Sequence, residues 1–320
     1  MSEIRLFRLS DDSVEPIVGS AVVLEKSLQT LIERHAEALL GIRFLASEYP
    51  TTKSHSGRID TLGIDESGSP VIIEYKLSVN ENVINQGLFY LNWLMDHRAD
   101  FKLLVLEQLG AGVATAIEWG SPRLVCIAGD FTKYDQHAIH EMPRNIDLVR
   151  YRRYGHDLLL LEQVASSAVE IGPIKAPVKV SATEKRGTVD DDVDSTPRDY
   201  FTGVGGRAKV LDQLDQCSPE VRDRYDTLRA YALGLGDGVH EHFRNRYIAF
   251  RGLKHFAYVR FRPTQNKIRV EVKLDAATLA AEAGFVHEQN AKGHWPFLEI
   301  VSKEDVERAI PLIERSYQRT

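Results

Sequence analysis

Apolar residues run along the first half of the chain in two rhythms. From Ala21 to Leu40, Leu24, Leu28, Leu31, Ile32 and Leu39 fall at helical spacing, and Gly41 follows where a C-cap is expected. A short strand is expected around Ile42 to Ala46, after which alternation sets in over Arg58 to Ile64 and again over Val71 to Leu77. Asp65-Glu66-Ser67-Gly68-Ser69-Pro70 lies between these two runs and is rich in turn residues, so the pair reads as a hairpin. Helical spacing returns from Glu81 to His97 through Val83, Ile84, Leu88, Leu91 and Leu94. An apolar strand is expected from Phe101 to Leu106, with further strands near Leu124–Ile127, Ile146–Tyr151 and Asp157–Leu161. The order is α-β-β-β-α-β followed by additions.

Periodicity then stops. Between about Ser166 and Arg198, Pro173, Pro177, Pro197 and the acidic run Asp190, Asp191 and Asp192 replace it, which reads as a linker. The expected division is a first domain over 1–165, a linker over 166–198 and a second domain over 199–320. In the second, Val210 to Leu235 gives one or two helices. Phe256 to Phe261 and Ile268 to Leu274 give hairpin strands around Pro263-Thr264-Gln265-Asn266, and Lys303 to Ser316 gives a closing helix. This is a small α+β unit.

Composition narrows the class without choosing a function. With 43% hydrophobic and 27% charged residues over 320 positions, two globular cores are expected rather than a disordered or fibrous chain. No apolar run approaches the roughly 20 residues needed to cross a bilayer, and the start of the chain lacks a basic-then-apolar signal layout, so a cytoplasmic protein with no membrane partner is expected. Cys126 and Cys217 stand far apart with no metal-site spacing, which points to buried free thiols. The formal charge of −6 is unevenly spread. From Arg244 to Lys273, the basic residues Arg244, Arg246, Arg251, Lys254, Arg260, Arg262, Lys267, Arg269 and Lys273 face only Glu271.

The chemistry is expected in the hairpin. Its first strand carries Asp60 and its second carries Glu74, Tyr75 and Lys76, so the two-residue period puts Glu74 and Lys76 on one face while Ile73 and Tyr75 point to the other. Antiparallel pairing can bring Asp60 beside Glu74, although a shift of one residue would turn it away. Two neighbouring carboxylates are hard oxygen ligands suited to Mg2+ or Mn2+, and an adjacent ammonium can stabilise negative charge on a phosphodiester. An acid, a spacer and a Lys on a strand are by themselves more often an exposed polar face.

The text Leu24-Glu25-Lys26-Ser27-Leu28-Gln29, Gly57-Arg58-Ile59-Asp60, Val71-Ile72-Ile73-Glu74-Tyr75-Lys76, then Gln86 and Tyr90, resembles the PD-(D/E)xK phosphodiesterases and, among them, the NucS-like endonucleases. The resemblance covers about Val22 to Leu106, with Ile59 in place of the Pro of the family's name. It implies a restriction-endonuclease-like αβββαβ core with a central mixed sheet and a metal-dependent deoxyribonuclease. The implied catalytic set is Asp60, Glu74, Lys76, Glu25, Gln86 and Tyr90, and the implied metal set is Asp60, Glu74 and Tyr75. Glu33, Glu37 and Glu48 rival Glu25 as the acid of the first helix region, whose ordinary reading is a solvated charge. Tyr90 also reads as a core residue with a bonded hydroxyl.

The second half resembles the uncharacterised DUF5655 domain through His242-Phe243-Arg244 and Tyr247-Ile248-Ala249-Phe250, which brings no activity with it. DNA, whether single-stranded, branched or duplex, is the expected partner. Arg58, His55, Arg244, Arg246, Arg251, Lys254, Arg260 and Arg262 are the candidates for touching it, and the neighbouring aromatics could stack bases. The plainer reading makes those aromatics core and those cations its coat. Cutting both strands would favour a homodimer, and repair, restriction and phage defence would all use such a site. The competing function is a module that keeps the fold to bind nucleic acid or protein without turnover.

Overall fold

The computed structural model of the chain describes residues 4–20, 25–51, 57–76, 83–142, 144–155, 157–167, 204–244, 246–282, 284–288 and 295–320. The expected linker falls almost wholly outside them.

The chain opens with β1 (Leu6–Ser10) and β2 (Ser13–Ile17), a separate two-stranded hairpin, and β3 (Gly19–Ser20). Phe7, Leu9 and Val14 of that hairpin are exposed. Then come α1 (Glu25–Leu40), β4 (Ile42–Pro50), β5 (Arg58–Asp65) and β6 (Pro70–Lys76). Gly41 turns the chain out of α1 with a φ of 66°, a left-handed conformation that favours glycine, and its N–H donates to Glu37 O. Between β5 and β6, the Asp65 carboxylate accepts from the N–H groups of Ser67 and Ser69, fixing the turn the sequence suggested.

Three helices follow: α2 (Val83–Asp96), α3 (Arg98–Leu109) and α4 (Ala111–Thr115). The strand expected at Phe101–Leu106 is therefore helical. Phe101 and Val105, four residues apart, are the buried pair of α3, while Leu103 and Leu106 are 54% and 45% exposed. A short apolar run suits either structure, and here the packing of one residue in four decides. The parallel strand of the core is β7 (Arg123–Ala128), followed by α5 (Lys133–Ala138), β8 (Asn145–Tyr154) and β9 (Leu158–Ser166).

These strands form a mixed sheet in the order β3-β8-β7-β6-β5-β4, with β9 paired to β8. The α-β-β-β-α-β order is present, with α3 and α4 added before β7. β4, β5 and β6 are antiparallel, whereas β6, β7 and β8 run parallel. Buried on both faces, the parallel strands are nearly continuous in apolar residues. One face packs Ile73, Tyr75, Val125 and Tyr151 against Leu28, Ile32 and Leu40 of α1. The other packs Leu62, Ile72, Leu124 and Cys126 against Leu91 and Leu94 of α2.

The second half builds α6 (Val204–Asp215), α7 (Pro219–Leu233), β10 (His240–Phe243), β11 (Ile248–Arg251), β12 (His255–Arg262), β13 (Lys267–Val272), α8 (Ala276–Ala281), β14 (Val286–His287), β15 (Phe297–Ile300) and α9 (Lys303–Gln318). Its antiparallel sheet runs β10-β11-β12-β13-β15-β14 and carries helices over Ile248, Val259, Phe261, Val270 and Leu298. Capping is legible in the sequence here: Ser302 and Asp305 form a reciprocal capping box at the start of α9. Cys126 and Cys217 are both buried free thiols, as expected.

Candidate active site

β5 and β6 pair Thr61 with Ile73, which sets Asp60 directly across from Glu74. This is the register that brings the two carboxyl groups together. Past Thr61 the backbone ladder gives way to side chains: Tyr75 N–H donates to Asp60 Oδ2 at 3.0 Å, and Asp60 N–H donates to Glu74 Oε1 at 3.3 Å. Each carboxyl thus reaches across to the other strand's backbone, which sets the two side by side.

Glu74 is fully buried on the α2 face, paired across β7 with Cys126. Burial first, and the neighbouring Asp60 second, push its carboxyl up to about 9. Asp60 is raised too, mainly by burial, with the Tyr75 N–H opposing the rise. Lys76 closes β6, half-buried, near enough for its ammonium to favour the ionised form of both acids. Glu74 Oε2 is buried and has no hydrogen-bond partner among the described residues. An orphaned carboxylate oxygen beside a second carboxyl fits a divalent cation that keeps several waters, as Mg2+ does with one or two carboxylates. Among the described residues no third His, Cys, Asp or Glu joins them to make a fuller cluster.

The Tyr75 side chain does not belong to this face. It is buried against α1, with its hydroxyl 3.3 Å from Thr61 Oγ1, and burial pushes that hydroxyl far above its ordinary range. Alternation leaves only its backbone near the carboxyl groups.

From α1, Gln29 and Glu33 both bond to β5. The Gln29 amide donates to Asp60 O at 2.7 Å, Ser47 Oγ at 3.2 Å and Glu33 Oε1 at 2.9 Å. Glu33 also accepts from Thr61 Oγ1 at 2.6 Å. Glu25 opens the same helix, half-buried. Sequence reasoning passed over Gln29, although a polar residue beside Leu28 and Ile32 on a buried stripe is a signal that it must have partners. Glu48 stands across β5 from Asp60 at a left-handed φ of 50°, holding Lys26 at 2.9 Å and Arg58 at 3.8 Å.

On α2, Gln86 is half-buried and Tyr90 buried, one turn further on. The Tyr90 hydroxyl lies over Gly57 so closely that a Cβ there would sit 2.5 Å from it. Thr51 and Gly57, which flank the segment containing His55 in the sequence, are tied by Thr51 N–H to Gly57 O and Gly57 N–H to Thr51 Oγ1. His55 itself lies outside the described residues.

The basic candidates of the second half separate sharply. Arg244 and Arg251 are buried at the seam between the sheets, and Arg251 donates to both Asp147 oxygens at 2.9 Å. Lys254 donates to Ala38 O at 2.8 Å. These three hold the halves together and do not form an open basic face. Arg260 is half-buried, bonded to Glu271 at 2.9 Å and stacked over Tyr247. Arg246 and Arg262, together with Arg58, remain exposed. Acids of the first half, Asp65, Glu66 and Asp147, answer Arg244, Lys273 and Arg251, while Glu271 and Glu299 of the second half answer Arg260, Arg269 and Lys267.

Residues 210–320 match the family model described as "Domain of unknown function (DUF5655)". An uncharacterized protein of Haemophilus influenzae is 26% identical over 278 residues, 85% of this chain and 84% of its own length. Among solved structures, a repair endonuclease from Pyrococcus abyssi aligns at 17% identity with a TM-score of 0.28, over 43% of this chain and 54% of that one. A structure of an EndoMS–dsDNA complex aligns at 17% identity with a TM-score of 0.24, over 41% and 47%. The chain spans about half the length of these two structures. No helix among the described residues is long and apolar enough to cross a membrane.

Proposed function

We propose that the chain is a divalent-metal-dependent endonuclease of the PD-(D/E)xK type that hydrolyses DNA phosphodiester bonds. The observation that carries this reading is the Asp60–Glu74 pair, drawn together from adjacent strands in a buried setting with Lys76 two residues along. Asp60 and Glu74 would hold Mg2+ or Mn2+. The ion would lower the pKa of a water and take up charge on the phosphate oxygens.

This chain's own residues supply the rest. Lys76 places a positive charge beside the two carboxylates, where it can steady the attacking water or the developing charge on phosphorus. Gln29 holds the Asp60 backbone so that its carboxyl keeps its aim. Glu25, Gln86 and Tyr90 would complete the site from α1 and α2, with Tyr90 packing over Gly57 at the start of β5. Residues 1–165 carry the chemistry, and residues 199–320 form a second domain docked on it. Arg58, Arg246 and Arg262, which are exposed, would be the cations to meet a DNA backbone.

The test is incubation of the purified chain with single-stranded, duplex and branched DNA and with RNA, each under Mg2+ and Mn2+. Cleavage of DNA is expected, with losses of about 100-fold or more in Asp60→Asn, Glu74→Gln and Lys76→Met. Equal residual cutting in all three variants would end this reading. Binding without turnover under either metal would instead favour a non-catalytic module.

A further inference from the structure

The hairpin of β1 and β2 forms a sheet of its own, and among the described residues neither strand joins the main sheet of the first half. Two strands alone are marginal in water, so the hairpin needs something to rest on. Its register pairs Leu6 with Ile17, Arg8 with Glu15 and Ser10 with Ser13 on one face, and Phe7 with Pro16 and Leu9 with Val14 on the other. Leu6 and Ile17 are half-buried, and the Tyr154 hydroxyl donates to Ile4 O at 3.4 Å beside them. The Ser10 and Ser13 hydroxyls lie 2.6 Å apart. This first face meets the protein at its root and turns polar towards the tip.

The second face stays apolar along its length and is open. Phe7 is 50% exposed, Val14 63% and Leu9 74%, Pro16 lies exposed among them, and Val18 is exposed just beyond β2. A sheet with one covered side ordinarily points its apolar side inward, and this hairpin does the reverse. Contiguous apolar surface of this kind marks a site of association. The edges do not offer it, because Pro16 on β2 and Arg8 on β1 are residues that guard an edge against a further strand.

Charge along the hairpin selects the occupant. The tip carries Asp11 and Asp12, while the root carries Arg5 just before β1 and Arg153, which β8 sets across from Ser20. Acids beside the most exposed apolar side chains disfavour an anionic lipid surface and a nucleic-acid backbone. We propose that this face binds a second copy of the chain, two hairpins stacking antiparallel about a two-fold axis near the Phe7–Pro16 pair. Each apolar face then covers the other, and each acidic tip reaches the arginines at the other root. Stacking the same way round would set tip against tip, which like charges oppose. A self-complementary patch of this kind closes on itself as a dimer. The surface does not depend on whether the chain cuts DNA, and its failure would leave that reading untouched.

Sedimentation of the full chain at about 100 μM, well above a micromolar Kd, should give a species of twice the 36.1 kDa of one chain. Leu9→Asp with Val14→Asp should leave a folded monomer, since both side chains face solvent within one copy. The orientation has its own readout. Asp11→Arg with Asp12→Arg makes tip and root both positive, and Arg5→Glu with Arg153→Glu makes both negative, so each protein should be monomeric alone. Mixed in equal amounts, the two should dimerise again. Should Arg153→Glu disturb β8, Arg5→Glu alone serves as the acidic partner. A monomeric wild-type chain overturns the proposal, as does a dimer that survives Leu9→Asp with Val14→Asp. Charge variants that dimerise alone, or that stay monomeric when mixed, overturn it too.

Discussion

Glu74 sits where water cannot reach it and where a second carboxyl already stands, and these two facts, in that order, push its carboxyl up to about 9. A proton held more tightly in the folded chain than in the unfolded one stabilises the fold at low pH. That stabilisation is lost as pH rises from the ordinary carboxyl value of 4.5 towards about 9. With a chelator present, urea denaturation should therefore show stability falling across that window, with a slope of at most about 1.4 kcal/mol per pH unit. Glu74→Gln, which cannot ionise, should flatten the profile, and Mg2+ should recover stability at the alkaline end in the wild-type chain only. A profile identical in both proteins would mean that the residue is ordinary. Gly57 offers a second residue-scale measurement. An added Cβ would meet the Tyr90 hydroxyl at 2.5 Å and its Cε1 at 3.0 Å, and a rigid ring in a packed core yields little. Gly57→Ala should cost about 1–3 kcal/mol, and in a Tyr90→Phe background it should cost measurably less.

At the scale of elements, the hairpin was legible because alternation is a local property: Ile73 and Tyr75 in, Glu74 and Lys76 to the other side, with a turn of Asp65, Gly68 and Pro70 between the strands. The segment from Phe101 to Leu106 was not legible. Its five apolar residues fit a buried strand, yet they form α3, which buries Phe101 and Val105 fully, rests Leu104 partly on the core and turns Leu103 and Leu106 outward. The two descriptions disagree about Leu103, which a strand would bury with Phe101 and a helix turns outward. Leu103→Gln is expected to change stability by no more than about 0.5 kcal/mol, whereas Phe101→Ala should cost about 3–5 kcal/mol. Comparable losses at both positions in a denaturation series would restore the strand. Gln29 shows the converse case, a polar side chain on the buried stripe of α1 whose partners at Ser47 and Asp60 belong to strands that the helix sequence cannot name.

For the molecule as a whole, the seam between the two sheets rests on charge. Burial alone would raise the Asp147 carboxyl, but Arg251 and Arg123 outweigh it and hold the group far below the usual carboxylate range. Removing one member leaves others charged and buried without an answer, which is the costly way to break such a group. Asp147→Ala should destabilise the chain by about 3–5 kcal/mol and open the second half to limited proteolysis, with Arg251→Met milder because Arg123 still answers Asp147. Equal stability of all three proteins in urea would show that the seam is held by its apolar contacts alone. The sequence by itself determined the strand–turn–strand that carries Asp60, Glu74 and Lys76, the helices on either side of it and the Gly41 turn that ends the first of them, because propensity, periodicity and turn chemistry act over a few residues. Only the tertiary structure decided what the cations of the second half are for. Arg244, Arg251 and Lys254 look from the chain like an open basic face, and docking turns them into partners of the first half, the two arginines buried, since charge acts through space and the groups that meet them lie far away along the chain.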